Sequence, residues 1–426
     1  MLIEFKFSNF RSFKEEVIFS MEPLTQNGTN LNTIKTGSKK VPQLYRTAGI
    51  FGANASGKSN ILMLINALKM FVKNSWKNDI NTKIPTDQYM LNDSDDATET
   101  KIEISYLIDD IIYNYGIKYN SSEYTEEYLY ITDTSSKGTG YRNRIYDTTK
   151  ENFGRISGIK QSWVEDHTPN RLFLSEIINK KCNIHEIETI YNAIVKNTNI
   201  ISNEFTNQLS INMLQNLNRN KVLSLMQKAD LGMNDLTVEE LSIEKIQEAI
   251  SKNTKLDDAK KDLLQKVLQL DNFKLLDVKS YHQTESGKTK EFNFDQSESK
   301  GTQTFFALTA PVIDTIQHGK ILWIDELDSS LHPYLVQYLV SLFNNPETNT
   351  KNAQLIFTSH AHYLMDGDHL SRDQIWFTSK ELNNGFYSDL YSLSDFKKLT
   401  RKNVSFYESY MEGVYGAVPF LEKTNG

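Results

Sequence analysis

The chain contains one cysteine in 426 residues, Cys182. A lone thiol excludes an internal disulfide, and with only His185 beside it there is no metal-ligand pattern, so it reads as a plain structural thiol. Long apolar runs are also missing. None approaches the ~18 residues of a membrane span, and the start MLIEFKFSNFRSF lacks the basic, apolar, small-residue order of a secretory signal. The expectation is a cytoplasmic protein with no membrane contact. Positive charge is in deficit, with 47 Lys and Arg against 54 Asp and Glu and a net charge of −7. Such a balance is not that of a basic surface binding DNA nonspecifically. Local basic spots at Lys39-Lys40 and Arg401-Lys402 read as solvated faces. What is plentiful is core material, 39% hydrophobic and 11% aromatic, enough for two or three domain-sized units.

Hydrophobic periodicity divides the chain in three. Residues 1–150 form an N-terminal lobe. Leu2–Phe7 alternates as a strand, a second strand lies around Val17–Phe19, and Ala48–Phe51 runs into a glycine loop and the helix SNILMLINALKMFVK. From 101 to 148 the period is two, which predicts an antiparallel sheet. Residues 151–270 are expected to be a helical insertion, with apolar residues at three- and four-residue steps from about 171 onward and a brief return to strand in ADLGMNDLTVEELSI. Its amphipathic pieces are too short and interrupted for an extended coiled coil. Residues 271–426 alternate helix 301–317, strand KILWID, helix 333–344, strand AQLIFTSH and strand QIWFTS, the pattern of a parallel sheet covered by helices. Asn384-Gly385 marks a hairpin bend before an outgoing strand.

Gly52-Ala53-Asn54-Ala55-Ser56-Gly57-Lys58-Ser59 satisfies the phosphate-loop pattern between a strand and a helix. The glycines let backbone amides approach phosphate oxygens, Lys58 sets a charge on the β- and γ-phosphates, and Ser59 ligates Mg²⁺. With the following Asn60, these residues make up the expected ATP site. The strand Ile321–Ile324 ends in Asp325, suited to the Mg²⁺ shell, and Glu326, suited to polarising the attacking water. Leu355–Ser359 ends in His360, which can report a γ-phosphate at the tip of a parallel strand. The predicted catalytic set is therefore Lys58, Glu326 and His360, with Ser59 and Asp325 for the metal. The stretch SESKGTQ supplies Ser299 and Gly301 at the mouth of a helix, 26 residues ahead of Asp325. Hydroxyl, amides and helix dipole there suit an anion. One nucleotide needs only one phosphate loop, so a second such feature suggests a site shared between two copies of the chain.

The order of these motifs resembles the ABC-type ATPase heads of the SMC and RecF class. That resemblance implies an α/β P-loop ATPase head with an antiparallel β subdomain and a helical insertion. In it Ser299–Gln303 would be the signature loop capping the nucleotide of the other protomer, and Arg11 of NFRSF would lie near the nucleotide. FGANASGKSN, NRLFLSEIINK, ADLGMNDLTVEE, ESKGTQTFF, WIDELDSSLHP, FTSHAHYLM, SRDQIWF, YSLSDF and YMEGVYGAVPF together look like the RloA/AbiL-type ATPases, including the ATPase subunit of PARIS-like phage-defence systems. This narrower likeness implies a homodimer or larger assembly, a neighbouring RloB-like effector with a TOPRIM nuclease fold, a phage trigger protein, and ATP with Mg²⁺ as ligands.

The pattern departs from the class at three points. His332 stands before Pro333 where such heads carry an aspartate, Gln88 in PTDQYML has no supporting glutamine-loop pattern, and Gly413-Val414-Tyr415 replaces Gly-Arg-Tyr. Pro333 suits the first position of a helix, which makes His332 a cap residue. A RecF/SMC-like ATPase of DNA repair or clamping is the alternative, but it would be expected to carry long coiled coils or a basic DNA surface. A self-contained nuclease toxin would need an acidic metal cluster elsewhere, and the 66 residues after His360 are few for a TOPRIM domain.

Overall fold

The computed structural model describes residues 1–24, 32–91, 99–135, 137–150, 153, 158–202, 219–229, 232–241, 276–366, 369–380, 386–396 and 405–418. They fall into two compact units: Met1–Asn203 with Thr315–Ser329 and Val336–Gly426, and Glu204–Asp314 with Ser330–Leu335.

In the first unit, strand β1 (Leu2–Ser8) pairs antiparallel with β2 (Val17–Ser20), setting Phe5 opposite Phe19. A small hairpin, β3 (Thr33–Lys35) and β4 (Gln43–Tyr45), precedes β5 (Thr47–Phe51), which is buried throughout. Helix α1 (Lys58–Asn74) follows the glycine loop and buries Ile61, Leu62, Leu64, Ile65, Leu68 and Val72 along one face. Strands β6 (Thr100–Ile108), β7 (Ile111–Tyr119), β8 (Tyr124–Asp133) and β9 (Arg142–Asp147) form the antiparallel sheet expected from the two-residue period, and β1 and β2 extend it. Asp109 and Asp110, both at positive φ, make the tight β6–β7 turn, a conformation that short polar side chains tolerate.

The expected helical insertion at 151–270 is not one block. Helices α2 (Gln161–Glu165), α3 (Phe173–Asn179) and α4 (His185–Val195) belong to the first unit, and β10 (Thr198–Ile201) is a strand of its parallel sheet. The reason is burial: Phe173, Leu174, Ile177, Ile187, Ile190 and Ile194 join the core that also holds α1 and the antiparallel sheet. Four residues of strand are too few to show a period, so β10 was hidden between helical patterns.

The second unit contains α5 (Arg219–Lys228) and the antiparallel sheet β11 (Asp235–Glu240), β12 (Leu276–Gln283) and β13 (Thr289–Asn293). The return to strand predicted in ADLGMNDLTVEELSI is β11. A short helix α6 (Phe294–Ser297) leads into α7 (Lys300–His318), whose last turn lies in the first unit. The helices read in IEKIQEAISK and LDDAKKDLLQKVLQL, the Asn384-Gly385 bend and Arg401-Lys402 lie outside the described residues.

Strand β14 (Ile321–Ile324), helix α8 (Pro333–Asn344), strands β15 (Gln354–Thr358), β16 (Ile375–Ser379) and β17 (Asp389–Ser392), and helix α9 (Phe406–Met411) complete the order. The sheet runs β10-β14-β15-β5-β16-β17, parallel except for β17. β5, β14, β15 and β16 are buried along their whole length, as parallel strands covered on both faces must be. The two large sheets meet through aromatic side chains: Trp323 packs on Phe5 and Phe19, and Trp376 on Phe19. Fully buried Gln354 stitches them, accepting from Leu2 N at 2.6 Å and donating to the carbonyls of Leu2 and Tyr45 at 3.1 Å. Among the described residues no helix is long and apolar enough to cross a membrane.

Candidate nucleotide site

β5 lies between β15 and β16, and the carboxyl ends of β5, β14 and β15 deliver the phosphate loop, Asp325, Glu326 and His360 to one edge of the sheet. Leaving β5, the chain turns through Gly52 (φ +151°), Ala55 (φ +59°) and Gly57 (φ +115°). A Cβ on Gly52 would stand 2.4 Å from the Thr378 carbonyl oxygen, and one on Gly57 would stand 2.9 Å from the hydroxyls of Ser12 and Ser388. Only glycine fits both positions. Gly57 begins α1 without a side-chain cap and the first turn carries no acid, as suits a helix N-terminus that takes an anion. Lys58 is buried, its ammonium donating to the carbonyls of Gly52 at 2.8 Å and Ala53 at 3.0 Å. Burial lowers its pKa against the opposing pull of Glu326, Asp325 and Asp328. Ser56 shares a hydrogen bond with Thr378 at 2.6 Å, which ties the loop to β16.

Facing the loop, Ser59 Oγ donates to Asp325 Oδ1 at 3.2 Å, and Thr358 Oγ1 donates to the same oxygen at 2.6 Å. Glu326 N then donates to Thr358 Oγ1 at 2.7 Å. Glu326 takes a left-handed backbone (φ +49°), held there by that bond and by Leu327 N donating to the Thr358 carbonyl at 3.0 Å. His360 lies next along the chain from β15. Burial, then the Lys58 charge, lowers its pKa below the ordinary histidine value, with Asp328, Glu326 and Asp325 acting the other way. Asp328 accepts from Ser359 Oγ at 2.7 Å and from His360 N at 3.1 and 3.3 Å.

Thr358, Asp328 and Thr378 were not singled out by sequence reasoning. Their roles depend on which strands are neighbours, although the hydroxyl ending LIFT and the third acid of DELD were visible. Ser12 is another omission: Asn60 Nδ2 donates to its hydroxyl at 2.8 Å. Arg11, expected near the nucleotide, is committed to Asp87 at 2.8 Å and to Met63 Sδ. It is Ser12, one residue on, that meets the loop and α1. Gln88 lies in a segment tied to this turn by Arg11 N to the Asp87 carbonyl at 2.6 Å and Tyr89 N to Asn9 Oδ1 at 3.2 Å.

In the second unit, Ser299 Oγ accepts from Thr302 N at 3.1 Å and contacts Thr302 Oγ1 at 2.9 Å, so this hydroxyl caps its own helix. A Cβ on Gly301 would stand 2.9 Å from the Ser330 carbonyl oxygen, so glycine is required where α7 begins. His332 accepts from Tyr334 N at 3.3 Å through Nδ1, the cap role expected at the start of α8. In the first unit Val414, where the resemblance leads one to expect arginine, is exposed, while Tyr415 is buried against Phe377.

A hydroxyl and one carboxylate in contact suit Mg²⁺, which takes hard oxygen donors and completes its shell with phosphates and water. Ser59 and Asp325 are that pair. Among the described residues no group of three or more His, Cys, Asp or Glu could hold a metal by itself. The ligand such a cradle suits is a nucleoside triphosphate, and the class so defined is the P-loop ATPase domain of the AAA/ABC-like type. Within it, the chain belongs to the family described as "AAA domain, putative AbiEii toxin, Type IV TA system", whose model matches residues 48–366. The search of curated proteins finds no match.

Proposed function

We propose that the protein is the ATP-binding and hydrolysing sensor or scaffold subunit of a bacterial antiphage defence system, built on an ABC-type head of the SMC/RecF kind. The observation that carries this reading is the hydrogen-bonded chain from Ser59 through Asp325 and Thr358 to Glu326. It joins a metal-suited pair to an acid free to polarise water, on the strand edge that also bears the phosphate loop. The loop amides and Lys58 bind the phosphates of ATP, Ser59 and Asp325 hold Mg²⁺, and Glu326 acts on the attacking water. When bound, the metal held by Ser59 and Asp325 would supply positive charge to offset that of the phosphates. His360 contacts the γ-phosphate. Ser299 and Gly301 of a second copy close over it, so that ATP joins two heads and hydrolysis separates them. The toxin–antitoxin assignment of the family supports a defence role, in which the heads hold or release an effector of the TOPRIM nuclease class.

The reading is tested by expressing the chain with the product of its neighbouring reading frame and purifying on a tag carried by the ATPase. A nuclease-like neighbour that co-purifies, and that separates when phage infection is imposed, is the expected result. No retained neighbour, together with DNA binding by the isolated chain that weakens steeply with salt, would favour DNA clamping or repair instead.

A further inference from the structure

We infer that Asp328 is a positioning residue that locks His360 to the loop bearing Asp325 and Glu326, so that acid and histidine move as one unit. The inference rests on the ATPase reading above. Asp328 is the third acid after β14, and both its oxygens point at the end of β15. Oδ1 accepts from Ser359 Oγ at 2.7 Å and from His360 N at 3.1 Å, and Oδ2 lies 3.3 Å from the same N–H. Ser359 Oγ in turn accepts from Ala361 N at 2.8 Å. With Glu326 N on Thr358 Oγ1 and Leu327 N on the Thr358 carbonyl, residues 326–328 are zipped to 358–361 by consecutive bonds. The last of these are charge-assisted and hence the stronger.

Three consequences separate Asp328 from its acidic neighbours. Both of its oxygens engage donors at the end of β15, Ser359 Oγ and His360 N, which assigns it to holding that strand end. The bond falls on the backbone of His360, which fixes where the imidazole starts while leaving the ring available. Finally, Ser359 N donates to the Ile50 carbonyl at 3.1 Å, so the clamp also abuts the strand that feeds the phosphate loop. A displacement of Glu326 is thereby passed to His360 through fixed contacts, the physical requirement for two groups to respond to one phosphate.

The test is steady-state ATP hydrolysis by wild type, Asp328→Ala, Asp328→Asn, His360→Ala and the Asp328→Ala/His360→Ala pair. Asp328→Ala is expected to lower kcat about tenfold or more with KM changed less than about threefold, because charge-assisted bonds to a reacting group's backbone are lost. Asp328→Asn, whose Oδ1 can still accept from Ser359 and His360, is expected to recover most of that loss. In the double variant the Asp328 change should add less than about twofold to the His360 loss, as two residues acting through one another require. Ser359→Ala, which deletes one donor and keeps the carboxylate, is the second variant if Asp328→Ala does not fold; a severalfold fall in kcat is expected. Losses that multiply in the double variant, an Asn variant as impaired as the Ala variant, or unchanged kcat in Asp328→Ala and Ser359→Ala would overturn the role. Wild-type protein that hydrolyses no ATP would instead overturn the ATPase reading, and this role with it.

Discussion

At the scale of single residues, the site depends on hydroxyls that orient carboxylates. Thr358 is the clearest case: one hydroxyl donates to Asp325 and accepts from Glu326 N. Thr358→Val keeps the shape and removes both bonds. It is expected to lower ATP turnover by about ten- to a hundredfold, the effect of roughly 1–3 kcal/mol for an unmade buried bond; a turnover assay beside a melting curve separates this from loss of fold. The Glu326→Gln variant should bind ATP with near-normal affinity while turnover falls about a hundredfold or more, the usual contribution of a general base. Unaltered turnover would remove Glu326 from the chemistry. The phosphate-loop motif, the acids after β14 and the histidine after β15 stand out in the sequence because each is a local pattern at a strand end. Thr358 and Asp328 do not, since their partners are set by β14 pairing with β15 in the folded sheet. Arg11 shows the same limit: its pairing with Asp87, 76 residues away, leaves no local pattern.

Among the elements, two helix starts are satisfied from very different directions. The amides of Phe173 and Leu174 that open α3 donate to the buried carboxylate of Glu127 on β8, which also accepts from the hydroxyls of Tyr115 and Tyr146 at 2.9 and 2.7 Å. Burial pushes the Glu127 pKa up, with Tyr146 and the amide bonds pulling it down. Glu127→Ala leaves these donors without their acceptor and should cost about 1–3 kcal/mol or more in stability, read by denaturant titration. The sign of the pH effect follows from the raised pKa. The Glu127 contribution is fully present below the ordinary carboxyl value and declines as pH rises through the folded one, and Glu127→Gln should flatten that part of the stability profile. At α7, Ser299 caps its own helix. Ser299→Ala is therefore expected to cost about 1 kcal/mol of stability. The periodic strands and long helices were evident from the sequence, whereas β10 was not. Its four residues gain their place only by pairing with β14, and a pairing partner 123 residues away leaves no local pattern.

For the whole molecule, the first unit contains the complete set from phosphate loop to His360, while Ser299 and Gly301 belong to the second. The grouping of 161–203 with the first unit was illegible because helical periodicity tells which face is apolar, not which core it enters. In the proposed cycle ATP binding joins two heads and Glu326 releases them. Its most direct test is the mass in solution, by light scattering, of Glu326→Gln with Mg²⁺ and either ATP or ADP, alongside Glu326→Gln/Ser299→Arg. A larger assembly with ATP than with ADP is expected in the single variant, and loss of that difference in the double variant while ATP is still bound. Equal masses with ATP and ADP in the single variant, or an ATP-dependent assembly that survives Ser299→Arg, would contradict it.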